Sequence, residues 1–139
     1  MPNTAETFWS GSINPSSSSI PKTLLKQQAI SLGVITKNIV EATISSTIDE
    51  EKVDGFIDPP KITHSFDIIA PLLGYQRFTL FQVKQAIGLE YPVSFFSNYV
   101  KDIKYQECND IQQVNENLKQ ILASKETANL INSIIAQSS

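Results

Sequence analysis

Two hydrophobic periods divide this chain. Over residues 39–48 and 62–70 apolar and polar side chains alternate, the pattern of a strand with one buried face. Over residues 110–135 the apolar positions return every third or fourth residue, the spacing of a helix stripe. Neither pattern suits the other backbone, because side chains alternate across a strand but climb one face of a helix at i, i+3 and i+4. A chain carrying both sets helices against a sheet, an α+β arrangement with one sheet face covered.

The elements follow in order. Pro21 suits the first turn of a helix, and Leu25, Ala29, Leu32 and Ile35 form its stripe. Gly33 marks its closing turn, and Thr36-Lys37-Asn38 leads out. Val40, Ala42, Ile44 and Ile48 share one parity in the first strand, opposite Glu41, Thr43, Ser45 and Thr47. The second is the cleanest: Ile62, His64, Phe66, Ile68 and Ala70 alternate with Thr63, Ser65 and Asp67. A third strand over residues 75–85 breaks parity, since Phe78 and Leu80 are even and Phe81 and Val83 odd. Such a break means two covered faces or a bulge. Val93–Phe96 forms a fourth strand, and an extended piece through Tyr99, Val100 and Ile103 is expected to add another.

Asn109 or Asp110 caps a helix carrying Ile111, Val114, Leu118 and Ile121. Ser124 opens a last helix with Ala128, Ile131, Ile134 and Ile135. The expected fold is therefore a mostly antiparallel four- to five-stranded sheet with one N-terminal and two C-terminal helices packed on it. Residues 1–20, with Gly11, Pro15 and four serines at 16–19, have little to bury and read as a flexible N-terminal arm carrying Phe8 and Trp9. Residues 21–139 then make a single α+β domain.

Composition excludes several classes. Eleven Lys and Arg residues are scattered singly, and the net charge is −3, so no basic stripe exists for a duplex and nucleic acid is not an expected partner. One cysteine permits no intrachain disulfide, and one histidine makes no Cys/His zinc set. No basic-then-apolar leader is evident, and the apolar run from Ile68 to Leu73 is broken by Pro71, so a membrane is not expected. The reading is a cytoplasmic protein, and the abundance of Ile, Asn, Gln and Ser suggests a microbial source. No cofactor is called for.

Candidate sites are few. His64 titrates nearest neutrality but shares parity with Ile62, Phe66 and Ile68, which makes it a structural histidine rather than a general base. Cys108 precedes a helix N-terminus, yet cysteine is commonly an inert small core residue. Asp49, Glu50, Glu51, Asp54 and Asp58 lack the spacing of a calcium loop and read as a solvated connection. If Phe81 and Val83 point inward, Glu41, Asp67, Gln82 and Lys84 all project from the outer face of the sheet. There Asp67 with Gln82-Val83-Lys84, within residues 20–100, resembles the restriction-endonuclease-like nuclease core. On that face the acidic pair Glu41 and Asp67 is placed to hold Mg²⁺, Gln82 to lend a ligand, and Lys84 to position a water or offset the charge of a scissile phosphate. The chain departs from the pattern in lacking Pro before Asp67, in having Gln for Glu, and in leaving too few residues over 86–91 for a crossover helix.

Aromatic residues carry the remaining signal. Phe78, Phe81, Tyr91, Phe95, Phe96 and Tyr99 fall in or beside the last strands, and neighbours such as Phe95 and Phe96 point to opposite faces. Rings on both faces favour a non-catalytic protein-interaction or accessory module, self-associating as a homodimer through the sheet, with Phe78, Phe81, Phe95, Phe96 and Tyr99 as interaction residues. The alternatives are a metal-dependent phosphodiesterase using Asp67, Gln82 and Lys84, and a small-ligand carrier with a pocket between sheet and C-terminal helices. On this reading an enzyme is disfavoured.

Overall fold

A computed structural model describes residues 6–15, 20–49, 52–53, 56–57 and 60–139. Helix α1 (Ile20–Ile35) opens the fold and buries Leu25, with Ala29 and Leu32 half-buried beside it. Its end is fixed by the residues that were expected to lead out. Asn38 N–H donates to the Gly33 carbonyl at 2.8 Å while Lys37 and Asn38 take left-handed backbone (φ 52° and 62°). The buried Thr36 hydroxyl bonds the carbonyls of Leu32 and Val40 at 3.0 and 2.8 Å, tying the helix to the strand that follows.

That strand, β1 (Glu41–Asp49), is followed by a two-residue ladder of β2 (Lys52–Val53) with β3 (Phe56–Ile57) and then by β4 (Lys61–Ala70). Residues Glu50, Glu51, Asp54 and Asp58 of the acidic connection, and residues 16–19 of the arm, lie outside the described residues. β1 and β4 pair without a break, from Glu41 opposite Ile69 to Asp49 opposite Lys61. A 3-10 turn at Pro71–Leu73, closed by Gly74 at φ 68°, reverses the chain into β5 (Gln76–Ala86). β6 (Val93–Phe96) and β7 (Gln106–Cys108) complete one antiparallel sheet in the order β1-β4-β5-β6-β7.

The parity break in β5 is a bulge. Phe66 faces Phe81, but Asp67 faces Thr79, so Leu80 is an extra residue. Phe78, opposite Ile68, and Phe81, opposite Phe66, therefore share a face, and this pair needs no second covered surface. The ring of Phe81 stacks between Phe66 and Phe95, with centroids 5.0 and 5.9 Å away, in a row across three strands. A bulge leaves part of the ladder unpaired. Here the buried Ser97 hydroxyl donates to the Leu80 carbonyl at 2.8 Å.

Ser97 also replaces the expected strand through Tyr99 and Ile103 with a tight loop. Its hydroxyl accepts from the backbone N–H of Tyr99 and Val100 at 3.2 and 3.1 Å, and its own N–H donates to the Ile103 carbonyl at 2.8 Å. The fifth strand consequently forms later, at β7.

Helix α2 (Ile111–Leu122) is capped by Asp110, whose carboxylate accepts from Gln113 N–H at 2.8 Å. Helix α3 (Lys125–Gln137) is capped by Ser124, accepting from Thr127 N–H at 3.1 Å. Val114, Leu118, Ile121 and Ile134 enter the core as their spacing requires, whereas Ala128 is exposed and the neighbouring Thr127 is buried, donating to the Ile121 carbonyl. All three helices lie on the face that carries Phe66, Ile68 and Leu80, and no described helix is long and apolar enough to cross a membrane.

Losing the Ser97 hydroxyl orphans a buried carbonyl together with two loop amides. Ser97→Ala is expected to lower unfolding free energy by about 1–3 kcal/mol in urea titrations. Ser94→Ala, at a half-exposed site outside this network, stays within about 0.5 kcal/mol of the parent.

Candidate functional site

The pairing register maps the uncovered face residue by residue. Reading across β1, β4, β5 and β6, one row is Thr47, Thr63, Lys84 and Ser94, and the next is Ser45, Ser65, Gln82 and Phe96. Beyond the bulge come Thr43, Asp67 and Thr79, then Glu41, Ile69 and Arg77. Short hydroxyl side chains dominate because alternate residues of strands with one buried face are left to water.

The four polar residues singled out from the sequence all lie on this face, but they do not converge. The buried Asp67 carboxylate accepts from Arg77 at 3.2 Å and from the Thr79 hydroxyl at 2.8 Å. Gln82 donates to the Ser65 hydroxyl at 3.1 Å. Lys84 stands opposite Thr63, four positions along β4 from Asp67, which amounts to about 13 Å. Glu41 is exposed at the sheet edge. Among the described residues no three His, Cys, Asp or Glu side chains gather where a metal ion would be held.

Of the aromatic residues, Phe81 and Phe95 are each 1% exposed in the core, and Phe78, Tyr91 and Tyr99 are half-buried against it. Phe96 is different. It points outward beside Gln82, and its ring meets Tyr105 at a centroid distance of 5.1 Å. These two rings wall a cleft of about 310 Å³ whose other sides are Lys61, Thr63, Gln82, Lys84 and Ser94. Sequence reasoning passed over Lys61, Thr63, Ser94 and Tyr105 as members of one site. The first two were legible as outward residues by parity, but their neighbours depend on register across long connections. The gap between α1, the two C-terminal helices and the sheet, where the carrier alternative places its ligand, measures about 120 Å³. Small-molecule pockets begin near roughly 300 Å³.

The two chemically distinctive side chains of the core are held inert. His64 is 2% exposed, its Nδ1 lies 2.7 Å from the Ser46 hydroxyl, and its Nε2 has no partner. Burial, with a smaller contribution from Lys22, lowers its pKa below the usual 6.5. Burial pushes the Cys108 thiol up to about 11, against the lesser opposing effect of the Asn117 amide that donates to its sulfur at 3.1 Å. A thiol so poised is protonated and unreactive at neutral pH.

The edges of the sheet differ. β7 is three residues long, whereas β1 is nine residues long with no proline, lysine, arginine or bulge, and charges only at its ends. Among the described residues no strand pairs with its far side. Its burial fits that position, since every residue from Ser45 to Asp49 is exposed and Ile48 is 64% exposed. Comparison with protein-family models, with curated proteins and with solved structures finds no match.

Because folded His64 is held neutral while the unfolded chain protonates near its ordinary value, the unfolded state binds more protons at low pH. The associated stability is present above about pH 6.5 and is lost as pH falls below it. Urea unfolding from about pH 7.5 to about pH 5 should show a steeper loss for the parent than for His64→Gln.

Proposed function

We propose that this chain is a non-catalytic interaction module of the cytoplasm that self-associates by pairing β1 with β1 of a second copy. The observation that carries the reading is the long, unguarded edge. An exposed strand offers a row of free N–H and C=O groups, and proteins ordinarily blunt such edges with lysine, proline, bulges or short length. β1 has none of these.

The sequence of β1 also suits its own reverse. Two copies continuing one sheet across a two-fold axis must pair residues of like parity, since paired residues share a face. Centring the pair on Ser45 sets Glu41 opposite Asp49, like charges in contact. Centring it on Ser46 sets Ile44 opposite the partner's Ile48 on the inner face and Ser45 opposite the partner's Thr47 on the outer face. Asp49 then meets Thr43, and the exposed Ile48 gains an apolar neighbour. Centring it on Ile44 also pairs seven residues but leaves the exposed Ile48 beyond the paired stretch, and centres further from the middle of the strand pair fewer. The register centred on Ser46 is therefore favoured.

Light scattering coupled to size exclusion tests this directly. The expected mass is twice the 15.4 kDa of the chain. The double variant Ser45→Lys/Thr47→Lys, at exposed outer positions, sets lysine against lysine twice and should elute as a folded monomer. Ser46→Cys should form a covalent dimer under mild oxidation while Ser45→Cys does not. The lone native cysteine is buried and leaves this readout clean. A parent that is monomeric at millimolar concentration contradicts the reading.

A further inference from the structure

The outer-face cleft is not used by pairing at β1. Lys61 stands opposite Ala86, and Lys84 lies two residues along the same strand, so the two lysines are diagonal neighbours. That geometry sets the two residues about 7–8 Å apart, near enough for both ammonium groups to reach one point. Among the described residues the ion pair joins Arg77 to Asp67, and neither Lys61 nor Lys84 forms one there. Among the described residues two carboxylates lie at the margins. Asp49, opposite Lys61, accepts from the Thr63 hydroxyl at 3.4 Å, and Glu107 sits opposite Ser94.

The far wall is aromatic. Tyr105 is 75% exposed and is held at φ 55°, a left-handed backbone that a bulky side chain seldom adopts, with its ring tilted against Phe96. Exposed rings at a cleft wall give a flat ligand a surface on which to stack. Between wall and lysines lie the hydroxyls of Thr63 and Ser94 and the amide of Gln82, which can both donate and accept. The cleft volume of about 310 Å³ falls at the small end of ligand pockets.

The geometry points to a binding site for a small planar anion of the mononucleotide class. Its phosphate lies between Lys61 and Lys84, its base lies against Tyr105 and Phe96, and Thr63, Gln82 and Ser94 bond the polar edges. Two cations match one phosphate, and a chain of net charge −3 repels a longer polyanion, so the ligand is a monomer rather than a strand.

Calorimetric titration of the full chain with adenosine 5′-monophosphate, ribose 5-phosphate and adenosine tests the site. Adenosine 5′-monophosphate is expected to bind, with the two fragments each weaker by about tenfold or more. Lys84→Met and Tyr105→Ala, both at exposed positions and checked for folding by circular dichroism, should each weaken the nucleotide about tenfold. Lys125→Met on α3 should leave it unchanged. No binding of the nucleotide at millimolar concentration, equal affinity for ribose 5-phosphate, or full affinity in Lys84→Met would each overturn the assignment.

Discussion

The hydrogen bond from the Ser97 hydroxyl to the Leu80 carbonyl holds the one irregularity on which both faces of the sheet depend. Without the extra residue at Leu80, the half of β5 before it would shift register by one position. Phe78 would then turn outward, and Thr79 and Arg77 would turn toward the helices, because a one-residue slip moves every side chain to the other face. With the bulge in place, Phe78, Leu80, Phe81 and Val83 all serve the core, and Thr79 and Arg77 meet Asp67 on the outer side. The same serine organises the loop that delivers Tyr105 beside Phe96. Core and cleft therefore share a support.

The division of labour between the faces follows. The inner face is closed by three helices over a stacked row of phenylalanines, and it buries the histidine and the cysteine as structural groups. The outer face carries hydroxyls, amides and lysines, with Thr63 and Asp67 buried among their neighbours and one aromatic pair at its β6 side. At the opposite side the sheet ends in a strand whose hydrogen-bonding groups are free to template another. Both surfaces proposed for partners thus lie where the helices stop. Among the described residues the acids do not converge, and Asp67 is engaged by a cation and a hydroxyl.

Much of this was written in local pattern. The alternation over Lys61–Ala70 specified β4 and its buried parity, and the capping residues Asp110 and Ser124 placed both C-terminal helices. The even-then-odd run through Phe78 and Phe81 announced an irregularity but did not reveal its form, because two covered faces and a bulge leave the same signature. Ser97 was illegible for a different reason. A serine that bonds a carbonyl seventeen residues earlier looks like any loop serine until the register is known. Lys61 and Lys84 became neighbours in the same way, through a pairing that no local window contains. Tyr105 owes its place to a loop conformation, and its sequence carried no mark of it.

Amide hydrogen exchange along β1, followed as protein concentration rises, tests most directly whether the bare edge is the working surface of this fold. If copies pair at this edge, the amides of β1 facing away from β4 exchange readily in dilute solution and gain protection together as concentration increases. Those of β5 should stay protected throughout. Protection of the whole of β1 that is already complete at the lowest concentration and never changes would contradict it, since the edge would then be closed within a single chain.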